Sequence, residues 1–339
     1  MAERIKYIDI AKGSGVLLVV LHHITNVCFR QGISNQCLQH IDACSIYYSG
    51  FFMQMFFLLS GYTSNFEKNS TEFIWSRVKT LLLPLLCFGV LMYITDVIWF
   101  GQRGAYTFVG NEKYFYLFEC SWFFSALFIA DIIQHLMVKN HINIILQGII
   151  WVFLLTTTIY ISCPSASAHS FHNNNFFHYK NGLCMGIFIW VGYALKRTGF
   201  WNNILRYGAL TYLILIVLYK FTGIIHPVVF THETMMAVCD IPLYLLFALS
   251  GSCLFIYAAK LLRYNAFLEH FGKNSVVVYG MQFAILKVCV LYTGQLMPLD
   301  NSWETLLFFA LVFTEAIILC AFFVQLFTKT KLKYLIGKF

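Results

Sequence analysis

Residues 7–23 read YIDIAKGSGVLLVVLHH, from Tyr7 to His23. The stretch has the apolar weight of a membrane span, yet it holds Asp9, Lys12, His22 and His23. Charge in hydrocarbon is costly, so an ionisable residue kept there is by default a functional one. Whether this is a span is decided by the rest of the chain. Its 339 residues are 59% hydrophobic and only 11% charged, with a mean hydropathy of +0.70. A soluble domain carries about 25% charged residues. The composition is that of a polytopic membrane protein.

Apolar runs of about 17–25 residues between polar punctuation mark helical spans. Ten are expected, near 8–27, 45–62, 80–100, 121–138, 142–162, 179–195, 204–221, 235–262, 275–293 and 304–327. The fold class is therefore all-α, one integral membrane domain over residues 1–339. The eighth run is too long for one straight span and contains Asp240 and Pro242, which predicts a kink, break or tilt. The first run follows a short basic start but carries Asp9 and Lys12 and lacks a small-residue cleavage pattern, so it is expected to stay as the first helix.

Lys and Arg set the orientation. With the N-terminus inside, all of them fall in inner segments except Arg30, Arg103, Lys113, Lys180 and Lys220 outside and Lys287 within the ninth span. This bias predicts both termini in the cytoplasm and an even number of spans. It also accounts for the net charge of +8 without a nucleic-acid partner. The longest outer segments are 28–44, 101–120 and CPSASAHSFHNNNFFHY (163–179). No repeat, linker or low-complexity tract interrupts the pattern. The eleven cysteines form no CxxC pattern, and most fall in spans, where a free thiol behaves as a small apolar group. Cys37 and Cys44 share an outer segment; their offset permits a disulfide without specifying one.

Within the opening stretch, His23 lies eleven residues beyond Lys12. That is about 16 Å of helix rise, and eleven steps of 100° return to nearly the same face. His22 points about a quarter turn away. A stripe with a cation near the inner surface and a histidine past the midplane suits a ligand that is anionic at one end and reactive at the other. Coenzyme A has that shape: phosphates at the surface, a pantetheine arm along the helix, a thioester near His23. Histidine suits a general base, because its unperturbed pKa is about 6.5. For Lys12 an i,i+3 ion pair with Asp9, with the lysine snorkelling to the headgroups, is the competing reading, and both stand.

These residues resemble the acyltransferase-3 family of integral membrane acyltransferases, in particular its fucose 4-O-acetylase-like or exopolysaccharide acetyltransferase branch. The family's first-helix signature is a basic residue, ten residues, then His, here Lys12 and His23. FFLLSGY (Phe56–Tyr62) resembles its aromatic run ending in Ser-Gly. WSRVKTLLLP supplies the basic pair Arg77 and Lys79 before Pro84. SWFFSALF supplies Trp122 and Phe123 at the head of a span. FGKNSVVVYGMQ (Phe271–Gln282) resembles the family's Gly-Lys-Asn-Ser segment and includes Tyr279. Five motifs in order, from Tyr7 to at least Gln282, make the resemblance specific. The chain departs from the branch at Phe52 and Gln54, where His and Pro are usual, at Gln282, where His is usual, and at His22, where Gly is common. Glutamine can hydrogen-bond an acceptor but cannot act as a base.

The resemblance implies transfer of an acyl group, usually acetyl, from cytoplasmic acyl-CoA to a sugar or glycan hydroxyl at or beyond the outer face. The acceptor is expected on a surface glycan or its lipid-linked precursor, in the plasma (inner) membrane of a bacterium, with membrane lipids as the other partner and no metal. It also implies His23 as the catalytic residue and Lys12, Arg77 and Lys79 as the phosphate holders. Arg77 and Lys79 equally suit positive-inside anchoring. Ser60-Gly61 reads as close helix packing. Trp122 suits an interfacial belt as well as a cavity wall, and Asp240 is an intramembrane candidate without an assigned partner. His169, His172 and His178 share one outer segment at spacings weak for a metal, and His226, His232 and Glu233 suit a solvated loop as well as an acceptor site. A transporter or flippase of a glycan or small metabolite is the rival from another class, since transporters also keep charges and broken helices in the bilayer. Transporters usually show internal repeats, and none is present. A binding subunit of an export complex is a further rival, kept open by Phe52 and Gln282.

Overall fold

The computed structural model describes residues 5–99, 122–162, 175–223, 227 and 237–337. All of their regular structure is helical: α1 (Lys6–Arg30), α2 (Gln36–Cys44), α3 (Ile46–Ser49), α4 (Phe52–Thr63), α5 (Ser70–Arg77), a π turn (Val78–Leu82), α6 (Leu83–Trp99), α7 (Trp122–Lys139), α8 (Ile144–Ser162), α9 (Tyr179–Thr198), α10 (Trp201–Thr222), α11 (Ile241–Leu261), α12 (Ala266–Lys273), α13 (Ser275–Leu296) and α14 (Ser302–Lys329). Among the described residues, nine helical stretches are long and apolar enough to cross a membrane. The sequence pattern predicts ten. The difference is α9, which is 20 residues long but carries Lys180, Asn181, Lys196 and Arg197 in its end turns. It is a central helix, packed against α4, α7 and α8, and so needs less apolar surface than one facing lipid.

Helix starts and stops follow local chemistry. Asn35, Asn69, Asn265 and Asn301 each accept a backbone N–H from the first turn of the helix they precede, at 2.9 Å. This satisfies a donor that the helix itself leaves unpaired. Gly199 and Gly223 end α9 and α10 in the left-handed conformation at φ +74° and +64°, which glycine adopts without a side-chain penalty.

Three expectations are corrected. The 235–262 run is not kinked at Asp240 and Pro242: α11 starts there, with proline in its first turn, where the missing N–H costs nothing. The second span begins earlier than residue 45, because 36–44 forms α2 rather than loop, and the stretch from Gln36 to Thr63 runs as three short helices. Cys37 and Cys44 both lie on α2 with free thiols. Two turns of helix separate them by about 10 Å, too far for a disulfide.

α1, α4, α7, α9 and α13 form the buried centre, while α8, α10 and α14 present apolar side chains outward, among them Phe153, Phe221 and Phe322. In water such a face would be an aggregation hazard; in a bilayer it is the lipid face. Two backbone approaches set the centre. A Cβ on Gly61 of α4 would lie 2.0 Å from the Ile189 carbonyl of α9. The short helix α12 lies against α1 so closely that a Cβ on Gly272 would lie 1.7 Å from the Asp9 carbonyl, and one on Gly13 1.9 Å from that of Leu268. Small residues at membrane helix contacts permit this.

Candidate active site

The polar centre of the bundle is built around a residue the sequence reading passed over. Asp131, midway along α7, is completely buried. A carboxylate there must be paired and hydrogen-bonded to remain ionised. Arg77, at the end of α5, brings Nε to 3.0 Å from Asp131 Oδ2. Its Nη2 donates to Ser64 Oγ, and its guanidinium lies 4.9 Å from the centroid of the Phe73 ring. Ser60 Oγ donates to both carboxylate oxygens, at 3.2 and 3.3 Å. The charge of Lys12 also acts on Asp131. Thus Arg77, at the end of α5, and Ser60 of α4, distant in sequence, are drawn to one carboxylate of α7, while Gly61 makes the close helix contact. Lys79 follows on the π turn, its Nζ 5.4 Å from the centroid of Trp75. Single π turns recur at functional sites, where the extra residue redirects side chains.

Farther along α1, the half-buried His23 ring rests on Phe283 of α13, with centroids 4.3 Å apart. Its Nδ1 lies 3.5 Å from Asn26 Nδ2. His22 points elsewhere, its ring 5.8 Å from Phe52 and 6.2 Å from Tyr48, as the quarter-turn offset requires. One residue from Phe283 stands Gln282, fully buried, with neither Nε2 nor Oε1 bonded among the described residues. An unsatisfied buried amide costs about 1–3 kcal/mol, which marks a position that calls for an explanation. One turn earlier Tyr279 lies against Phe123 and Phe124 of α7, at 5.2 and 5.3 Å. Trp122 opens α7 and is 6% exposed, so it belongs to the interior and not to an interfacial belt.

Other sequence candidates fall elsewhere. Asp240 sits before α11, where its Oδ2 accepts the Ala237 backbone N–H at 3.0 Å; it does not join His23 or Lys12. His169, His172, His226, His232 and Glu233 lie outside the described residues. His178, expected on an outer loop, is instead buried at the head of α9, with Lys180, Asn175 and a completely buried Asn181. The signal available for Asp131 was a lone acid in the apolar run SALFIADIIQ. His135, one turn further on, binds the Phe66 carbonyl and Ser70 Oγ through its two ring nitrogens, at 2.9 and 3.0 Å, which ties α7 to the segment before α5.

The family model described as an acyltransferase domain, acyltransferase-3, matches residues 5–325. No curated protein and no solved structure matches the chain.

Proposed function

The chain belongs to the acyltransferase-3 family, and from that membership we propose that it moves an acetyl group from acyl-CoA to a hydroxyl of a sugar or glycan acceptor. The end of the bundle holding Lys12, Arg77 and Lys79 faces the cytoplasm in this reading. Those three residues hold the CoA phosphates, with Asp131 and Ser64 orienting the Arg77 guanidinium. Bidentate recognition of phosphate favours arginine where orientation matters. The pantetheine arm then follows α1 for the about 16 Å of rise between Lys12 and His23.

At the far end His23 accepts the proton of the acceptor hydroxyl. The oxygen attacks the thioester carbonyl, the carbon–sulfur bond breaks, and the CoA thiolate leaves with the proton that His23 took. The buried Gln282 amide is suited to donate to the carbonyl oxygen as negative charge develops there. Gln282 cannot relay a proton, so His23 carries the acid–base chemistry without a second histidine at that place.

The observations that carry the reading are that Arg77 pairs with the buried Asp131, and that His23 of α1 meets Phe283 next to Gln282, whose amide has no partner among the described residues. The test is release of CoA thiol from acetyl-CoA by the purified protein in nanodiscs, across a panel of sugars, with His23→Ala as control. Release that requires both an acceptor and His23 supports the reading. Movement of a labelled sugar across the bilayer without thiol release would replace it with the transporter reading.

A further inference from the structure

The head of α9 is polar where the bundle around it is apolar. Asn175, His178 and Lys180 are at most 8% exposed, and Asn181 is completely buried. Their hydrogen bonds fix which atoms remain. Asn175 Oδ1 accepts the backbone N–H of Lys180 at 3.0 Å, so the other end of that amide is its NH2 group. That NH2 lies 2.8 Å from Asn181, and the Asn181 atom facing it must be the acceptor, Oδ1. The leftover atom is therefore Asn181 Nδ2, a donor, and it finds no partner among the described residues. Swapping the ends of either amide would set donor against donor. Phe177 and His178 both hold positive φ, 53° and 52°, a conformation that costs non-glycine residues energy and persists where the surroundings impose it.

The position of this cluster links it to His23. Gly182 follows Asn181 and packs on α7, where a Cβ would lie 2.8 Å from the Ala126 carbonyl. The head of α9 thus packs on α7 at Ala126 and Ile129, one to two turns below Trp122. Phe123 and Phe124, in the first turn of α7, lie against Tyr279, one turn from the Phe283 that holds His23.

We infer that the head of α9 is the acceptor subsite, with Asn181 Nδ2 donating to an oxygen of a polyhydroxylated, sugar-like acceptor and Trp122 as the neighbouring aromatic wall. This rests on the acyl-transfer reading for its role but not for its existence. The chemistry selects the class. Asn181 offers only a donor, so the ligand must present an acceptor oxygen to it, while an aromatic wall suits the C–H faces of a sugar ring.

Binding is the first test, because it needs no chemistry. Octyl glycosides of glucose, galactose, mannose, fucose and N-acetylglucosamine are titrated calorimetrically into the full-length protein in nanodiscs, without acetyl-CoA. At least one is expected to bind, and Asn181→Asp, equal in size but without the donor, is expected to weaken it at least tenfold. Asn181→Leu is expected to do the same. Equal binding by wild type and both variants, or no binding by the wild type, overturns the subsite. Steady-state kinetics with the bound glycoside give the second readout: acceptor KM at least tenfold higher in Asn181→Asp, with acetyl-CoA KM changed less than twofold. A parallel rise of both constants would mean a structural role and also overturns it. Glycoside binding that depends on Asn181, without any thiol release by the wild type, would retain the subsite and refute the acyl-transfer reading.

Discussion

Arg77→Met tests whether Asp131 organises the site. The substitution keeps an extended apolar stem but removes the guanidinium 3.0 Å from a carboxylate that is 0% exposed. Breaking a buried ion pair by removing one partner costs about 3–5 kcal/mol, because the other charge is left uncompensated in a low dielectric. Two features pull the estimate to the low end. The Arg77 side chain is 19% exposed, and the carboxylate keeps the Ser60 hydroxyl and the influence of Lys12. About 3 kcal/mol is expected, roughly a hundredfold in the folded-to-unfolded ratio. The mirror variant, Asp131→Asn, keeps the shape and strands a cation that has Ser64, the Phe73 face and some access to water, so about 1–2 kcal/mol is expected. The double variant Arg77→Met/Asp131→Leu removes both charges and should come back to within about 1 kcal/mol of wild type, since replacing a buried pair by apolar groups is often neutral. Equilibrium unfolding in mixed micelles measures all three, and the double-mutant cycle isolates the coupling. Additive losses, with the double variant worse than either single, would refute the ion-pair account.

Other expectations follow from the same geometry. His23→Ala should cut acceptor-dependent CoA release by about 10²–10⁴-fold, the usual contribution of a general base, with acetyl-CoA binding by calorimetry nearly unchanged; an unaltered rate removes His23 from the mechanism. Gly272→Ala should destabilise by about 1–3 kcal/mol or more, because its Cβ would meet Asp9 backbone at 1.7 Å. Gly15→Ala meets the flexible end of Met55 and should cost less in the same unfolding assay; equal losses would contradict the backbone contact between α1 and α12. Cys44 and Cys239 are exposed at the end of the bundle away from Lys6, so single-cysteine variants retaining either should react with an impermeant maleimide on intact cells. Labelling only after permeabilisation would reverse the proposed orientation.

Much of this architecture was legible because lipid imposes a simple rule: a run of apolar residues long enough to cross is a helix. The placing of Lys12 and His23 on one helix, and the turning of His22 toward Phe52, needed only helical periodicity. What escaped was set by contacts distant in sequence. Asp131 looked like a stray acid because its partners, Arg77 and Ser60, come from two other helices. Asn175 and His178 looked like part of an outer loop because they are polar, whereas they are polar and buried, with Asn175 hydrogen-bonded to the head of α9. The segment AFLEHFGK looked like a connection between spans. It is α12, lying on α1 through Gly13 and Gly272, and one sequence holds no pairwise contact that announces this. Asp240 misled for the opposite reason: Asp-X-Pro inside an apolar run suggests a broken span, but the same residues are an ordinary helix start.

On the proposed reading, the buried carboxylate also bears on how an anion-binding site is set up here before its ligand arrives. Lys12 and Arg77 belong to different helices, and Arg77 reaches a carboxylate that is itself fully buried. Without an anion, a guanidinium held there would lose hydration with nothing in return. Asp131, 3.0 Å from Arg77, is a resident counter-ion that offsets part of that cost, and the Ser60 hydroxyl donates to it. On the proposed reading, incoming phosphates meet cations whose positions are already set, so less ordering has to occur on binding. The arrangement also exacts affinity, because the phosphates share the guanidinium with a carboxylate that does not leave. On that reading the site folds without its substrate and releases CoA after transfer, which a site built from unopposed cations would do poorly.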